Sequence, residues 1–414
     1  MSDSPSVPSG STADRPFSSR RFRWFFAGWS ITMAGSAMSP LALAFGVLAF
    51  THSAGWLSAV LAASMLPRVA MLVLSGGIAD RYRRDRVLQL TSLGAGISQA
   101  CVAILLITAE PPVLLLVPAA ANGAFQALST PTLRGIVPQL VGRRGLQPAN
   151  SVLASSRNIA QLLGPAAAGL LVTQVGPSWV VGVDALSFLL AAACFARMSL
   201  PDLPPRAAHA TSMLVELRQG WGYFHARPWI WSVTSAFAVF NAVNAGVWTI
   251  LGPVIATRTV GATGWGLVLS ARGAGALLST VLMVRLYVRR PMVPAMSMMA
   301  LAGAPLVLLG LGAGTAWLAA AAFAAGVAAE FFTVAWSTVW HVRVPERMGS
   351  RVSSWDEFGS FASIPVGQLT IPALAAAIGD APVCIAGGAL TALAMLLPLT
   401  VPSLRQIELH DPSD

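Results

Sequence analysis

The 414-residue chain contains no lysine. That absence removes the phosphate-gripping lysine of a Walker A loop and any lysine Schiff base, which argues against an ATP-driven pump on this polypeptide alone. Acids are scarce as well: 16 Asp and Glu stand against 26 arginines, and only 10% of residues are charged, where a soluble domain carries about 25%. Three cysteines, Cys101, Cys194 and Cys384, lie in apolar runs without motif spacing and read as packing residues. The five histidines lack metal-ligand spacing, so neither a metal nor any other cofactor is expected.

What the chain has instead is apolar length. It is 55% hydrophobic with a mean hydropathy of +0.69. Runs of about 20 apolar residues, each long enough to cross a bilayer as a helix, recur along its whole length. They predict twelve spans, at 24–49, 56–79, 87–109, 113–137, 151–173, 179–198, 229–254, 264–288, 292–314, 316–341, 357–378 and 382–400. The expected fold class is therefore an all-α integral membrane protein, with the lipid bilayer as its partner.

The arginines test that count. With the N-terminus in the cytoplasm and sides alternating at each span, Arg68 and Arg272 fall within spans and Arg258 falls outside. The remaining 23 of 26 lie on or near the inner side, as the positive-inside rule requires. The net charge of +10 thus reads as orientation and not as affinity for nucleic acid. Both termini are expected in the cytoplasm, with residues 1–23 (Ser/Pro-rich) and 401–414 as tails.

The chain also divides in two. Residues 24–198 and 229–400 each hold six spans, and the polar stretch 199–228 joins them. Within that linker, Ser212 to Tyr223 suits a short amphipathic helix on the inner surface. Weak repeats relate the halves: "AGWLSAV" (54–60) and "TGWGLVL" (263–269) open the second span of each, and "NGAFQALSTP" (122–131) and "AGVAAEFFTV" (325–334) occupy the fourth. Repeats of this kind place a binding site near the midplane, between the halves.

Between the second and third spans stands "GGIADRYRRDRVL", with six charges in seven positions. It resembles the signature loop of the major facilitator superfamily, Gly-x-x-x-Asp-Arg-x-Gly-Arg-Arg: Gly76, Asp80, Arg81, Arg84 and Arg86 match, while Arg83 replaces a glycine and Asp85 a basic residue. The resemblance covers the whole chain. Residues 146–192 and 344–367 are similar to the subgroup of bacterial exporters that carry enterobactin and macrolides. Gly164, Pro165 and Gly169 match part of that family's antiporter motif, with Ala168 in place of one glycine. The resemblance implies the major facilitator fold in a bacterial inner membrane, a monomer, and a gating loop in which Asp80 latches onto the eleventh span. On physical grounds alone, Gly76 lets two helices approach closely and Asp80 can cap a helix or pair with arginine; a simple basic inner loop is the plainer alternative.

Polar residues inside spans are costly, at about 2.5–3.5 kcal/mol for a charge at the centre of a helix, and usually carry a role or a partner. Glu330, midway along the tenth span, is the first proton-coupling candidate; an ion pair with Arg272 is the structural alternative. Asp184, in the sixth span, is the second candidate, with a structural role favoured. Asn122, Gln126, Asn241, Asn244, Trp248, Arg272 and Trp336 are candidate lining of a mostly apolar substrate cavity, or else helix–helix contacts. Together these features suggest a secondary transporter and not an enzyme. The expectation is proton-coupled efflux of a hydrophobic or amphipathic small molecule such as a drug, antibiotic or siderophore. An uptake permease of the same fold and a non-transporting scaffold or sensor remain open alternatives.

Overall fold

The computed structural model describes residues 16–79, 83–141, 145–198, 213–283 and 288–408. Twelve helices there are long and apolar enough to cross a membrane. The first six are Arg20–Thr51, Ala54–Met71, Arg84–Thr108, Pro112–Thr130, Leu146–Val175 and Pro177–Ala196. The second six are Pro228–Arg258, Gly261–Met283, Met292–Gly310, Thr315–Arg343, Arg351–Ile378 and Asp380–Thr400. All twelve expected spans are present. Several helices run past the apolar window because polar residues extend them towards water: the fifth starts at Leu146 and not 151, and the eleventh at Arg351 and not 357.

Prolines set the irregularities. The seventh span passes through a π-helical segment, Asn244–Leu251, just before Gly252-Pro253. The ninth tightens to 3₁₀ over Ala300–Gly303 before Pro305. In the eleventh, helix Glu346–Phe361 gives way to Ser363–Ile378 just before Pro365. A proline has no N–H to donate and its ring crowds the preceding turn, so the backbone relaxes there.

Between the halves, helix Met213–His225 lies one residue from the expected Ser212 start and two beyond the expected end. It packs on the eleventh span's polar end, where the Trp221 and Trp355 rings lie 4.9 Å apart.

Spans 1–6 form one bundle and spans 7–12 the other. In the first, span 2 packs on span 4; in the second, span 8 packs on span 10. The sequence repeat aligns Gly123 with Gly326, and the two do the same work. A Cβ on Gly123 would overlap the carbonyl oxygen of Ser64, and one on Gly326 that of Arg272. Only glycine lets these helix pairs touch backbone to backbone.

The halves meet through span 5 against span 8 and span 2 against span 11. Buried apolar clusters show where the contact is tight. At the end where the chain's first span begins, the terminal end, one cluster (Phe22, Phe25, Leu88, Ile136, Leu153, Phe195) draws only on the first half. A second cluster there (Trp229, Ile230, Met296, Phe332, Val339, Leu404) draws only on the second half. Towards the far end the clusters are shared: Leu41, Phe45 and Ala168 pack with Val247, Leu251 and Trp265. Val47 and Val102 pack with Ile250 and Val254. Among the described residues, the halves are joined by a common core at the far end only.

Candidate functional site

Glu330 sits halfway along the tenth span, whose Ala-rich sequence favours helix. Its carboxylate is half-buried and accepts a hydrogen bond from the Thr280 hydroxyl of span 8 at 3.3 Å. From Glu330 towards the terminal end, Thr333, Ser337 and His341 follow at helical spacing and are all exposed. Exposed polar side chains on one face of a membrane-crossing helix need water or protein beside them, not acyl chains. That face lies at the same end as the half-specific clusters, and span 10 presents Glu330 at the head of a polar stripe.

Arg272 does not pair with it. The guanidinium lies 5.9 Å from the Trp248 ring centre and lines a small cavity with Asn244, inside the second half between spans 7, 8, 9 and 10. Among the described residues no salt bridge joins Glu330 to Arg272, so the ion-pair alternative is not what the structure adopts. Asn244 opens the π-helical segment that carries Trp248, and Trp248 in turn packs on Trp265 with centroids 4.6 Å apart.

In the first half, Arg68 donates to the Gln126 side chain, Gln126 donates to Asn122, and Asn122 donates to the carbonyl of Ala95 at 3.3 Å. This chain ties spans 2, 4 and 3 together and leaves Arg68 Nε buried without a partner. Asp184 is fully enclosed between spans 1, 3 and 6. Its carboxylate accepts from Gln99 Nε2 at 2.7 Å and from Ser36 Oγ at 3.3 Å, and Gln99 also donates to Ser39 at 2.8 Å. These donors are neutral, and the site lies within one half, away from the seam.

The remaining expected residues fall in three places. Asn241 donates to the Ser360 carbonyl at 2.9 Å and so braces the break in span 11. Trp336 stacks on Phe332 (6.0 Å) and meets Trp229 edge-on (5.6 Å) in the terminal-end cluster of the second half. Gly164, Pro165 and Gly169 lie along span 5, where it meets its neighbours. Gly164 abuts Ala37 of span 1, the Pro165 carbonyl faces Gly266 of span 8, and a Cβ on Gly169 would come within 2.6 Å of the Ala262 carbonyl oxygen. Two hydrogen bonds cross between the halves here, from the Ala166 N–H to Ser270 Oγ at 3.0 Å and from the Thr263 hydroxyl to the Gly169 carbonyl at 3.3 Å.

Of the gating loop, Asp80 and Arg81 lie outside the described residues. Gly76 is within helix Ala54–Ala79, and Arg84 and Arg86 stand in the first turn of Arg84–Thr108, Arg86 exposed. Asp85, noted in the sequence only as a departure from the pattern, is buried at that helix's N-terminus and bridges to Arg83 at 2.8 Å. Sequence reasoning also passed over Gln99 and Asp356. The latter accepts from the Thr234 hydroxyl at 2.6 Å, joining span 11 to span 7. The signal for Gln99 is the one that exposed Glu330, a polar residue within an apolar run; Asp356 lies one residue before the expected eleventh span, in a polar segment.

Residues 24–368 match the family description of the Major Facilitator Superfamily. The chain belongs to that superfamily. With twelve helices long and apolar enough to cross a membrane among the described residues, it is a multi-pass membrane protein of that superfamily. Among its relatives, the staphyloferrin A transporter of Staphylococcus aureus (strain NCTC 8325 / PS 47) is 28% identical over 151 residues, 36% of this chain and 38% of that protein. The enterobactin exporter EntS of Escherichia coli O1:K1 / APEC is 25% identical over 227 residues, 54% of each chain. The matched segments thus span about half or less of these relatives. Two solved structures share the fold. The nucleoside transporter NupG has a TM-score of 0.73 at 12% identity and covers 92% of this chain and 98% of its own. A POT family transporter in complex with 5-aminolevulinic acid has a TM-score of 0.72 at 12% identity and covers 92% and 96%.

Proposed function

We propose that this Major Facilitator Superfamily transporter exports a hydrophobic or amphipathic small molecule in exchange for protons, with both termini in the cytoplasm. The likeness to an enterobactin exporter supports the outward direction, and the distribution of arginines supports the orientation. In that orientation the terminal end is the cytoplasmic one, and the separate cores there correspond to a carrier open inward.

Glu330 is the observation that carries the coupling. It is a carboxyl at mid-depth with one neutral hydrogen bond and, among the described residues, no paired cation, on a face lined by hydroxyls and His341. The Thr280 hydroxyl can donate to the charged form and accept from the neutral one, so it serves both. Releasing the proton leaves an anion at the seam until substrate or a new proton arrives, which makes the two exclude each other.

Glu330→Gln fixes the neutral state. In proteoliposomes with an imposed pH gradient, gradient-driven movement of an amphipathic dye such as rhodamine 6G is expected to fall at least about tenfold. Dye-for-dye exchange without a gradient persists. Wild-type rate and pH dependence in the Gln variant would remove Glu330 from the mechanism and leave Asp184, the second candidate, to test. Dye movement only into vesicles that present the cytoplasmic face outward would support export, and the opposite sense an uptake permease.

A further inference from the structure

The second half holds a positive charge with no hydrogen-bonded or ionic partner among the described residues. Arg272 keeps its charge, because a guanidinium does not give up its proton within proteins, and it has five N–H donors to satisfy. Among the described residues it has no hydrogen bond and no ion pair. Its one recorded contact of this kind is the face of Trp248 at 5.9 Å, the outer limit of a cation–π interaction. The nearest acid along the facing helix, Glu330, is engaged with Thr280.

The cavity that Arg272 lines is completed by Asn244, Trp248, Phe240, Ala322 and Ala325. No carboxylate faces it. Asn244 adds an amide that can donate, and the π-helical turn that begins there is the kind of irregularity frequent at functional sites. The free volume is about 10 Å³, enough for one water-sized particle. Water alone would leave the charge without a counter-ion inside the helix bundle.

We propose that this cavity binds a small inorganic anion of halide size, chloride in the cell, held between the Arg272 guanidinium and the Asn244 amide. A carboxylate of a carried molecule would offer the same charge, but it is larger than the space. The site belongs to the second half alone and does not depend on what the transporter carries or in which direction. Its consequence is structural: the anion joins four spans that otherwise share an uncompensated charge.

Purified full-length protein in detergent, unfolded by heat at constant ionic strength, tests this. Replacing gluconate with chloride or bromide is expected to raise the melting temperature saturably, by about 2–4 °C. Arg272→Gln should lose that response. An equal response in Arg272→Gln, or an equal effect of gluconate, overturns the proposal; a response to formate without one to chloride reassigns the site to carboxylates and overturns the halide. Should Arg272→Gln fail to fold, wild-type crystals soaked in bromide decide: an anomalous peak within hydrogen-bonding distance of Arg272 supports the site, and a peak-free cavity sinks it.

Discussion

The two ends of the molecule are built differently. At the far end, apolar residues of both halves bury one another: Phe45 and Ala168 pack with Trp265, and Val47 with Val254. At the terminal end each half closes on itself, around Phe22 and Phe195 on one side and Trp229 and Phe332 on the other. Burial of apolar surface is the main cohesive term in such packing, so a shared core holds two bundles together and separate cores let them part. The far end is not sealed: a cleft of about 490 Å³ remains there, lined by Phe45, Leu48 and His52 of the first half and Leu251, Val254 and Arg258 of the second. Arg258, the one arginine assigned to the outer side from the sequence, pairs at its rim with Asp380 at 3.5 Å.

The contrast can be broken most severely from inside a half. Gly326→Leu drives a side chain into the span 8 backbone at Arg272, where both helices are held by the rest of their bundle. Overpacking of this kind costs about 1–3 kcal/mol or more. The expected outcome is a large loss of folded protein, read as a drop in the monodisperse peak after detergent extraction.

Gly266→Leu makes a similar clash across the seam, against the Pro165 carbonyl of span 5. Here the strain can be relieved by rotating one half on the other, the motion a carrier of this fold already makes. This variant is expected to remain folded, to lose most transport, and to raise cysteine labelling of a reporter at Leu48 in the far-end cleft. Loss of folded protein equal to that of Gly326→Leu would mean that the seam is as rigid as a bundle interior.

The smallest effect is expected at the terminal end's surface. Glu408 accepts from Arg290 Nε at 2.8 Å and lies 3.3 Å from Arg289, while its backbone carbonyl accepts from Arg343 at 3.2 Å. The Arg290 hydrogen bond first, and the Arg289 charge second, hold the Glu408 carboxyl below its ordinary value. A depressed acid adds stability that is present above the unfolded-state value, about pH 4.3, and is lost as the pH falls through the lower folded one. Because the group is exposed, Glu408→Gln should lower the melting temperature only slightly at neutral pH, and the difference should vanish in acid. A gap between variant and wild type that persists well below pH 4 would point to a cause other than this charge cluster.

Much of this was legible in one dimension. Twelve spans follow from apolar run length, since a bilayer fixes the length of a helix that must satisfy its own backbone. The alignment of "NGAFQALSTP" with "AGVAAEFFTV" puts Gly123 and Gly326 in register, and the structure gives each a backbone contact. Polar residues in apolar runs pointed to Glu330, Arg272 and Asp184 because each is costly there.

Partners were not legible, because pairing depends on which helix faces which and on side-chain direction. Glu330 and Arg272 lie on adjacent helices, yet one turns to Thr280 and the other to Trp248. Asp184 gained Gln99 and Ser36 from helices 85 and 148 residues away in sequence. Asn241 and Trp336, read as cavity lining or helix–helix contacts, brace span 11 and pack against the second half's core. By itself the sequence determined the count, length and polarity of the spans, since these are set by each segment's own encounter with lipid and water. Only the tertiary structure decided which charges are neutralised and at which end the halves share a core, because both depend on distances across helices that no single segment encodes.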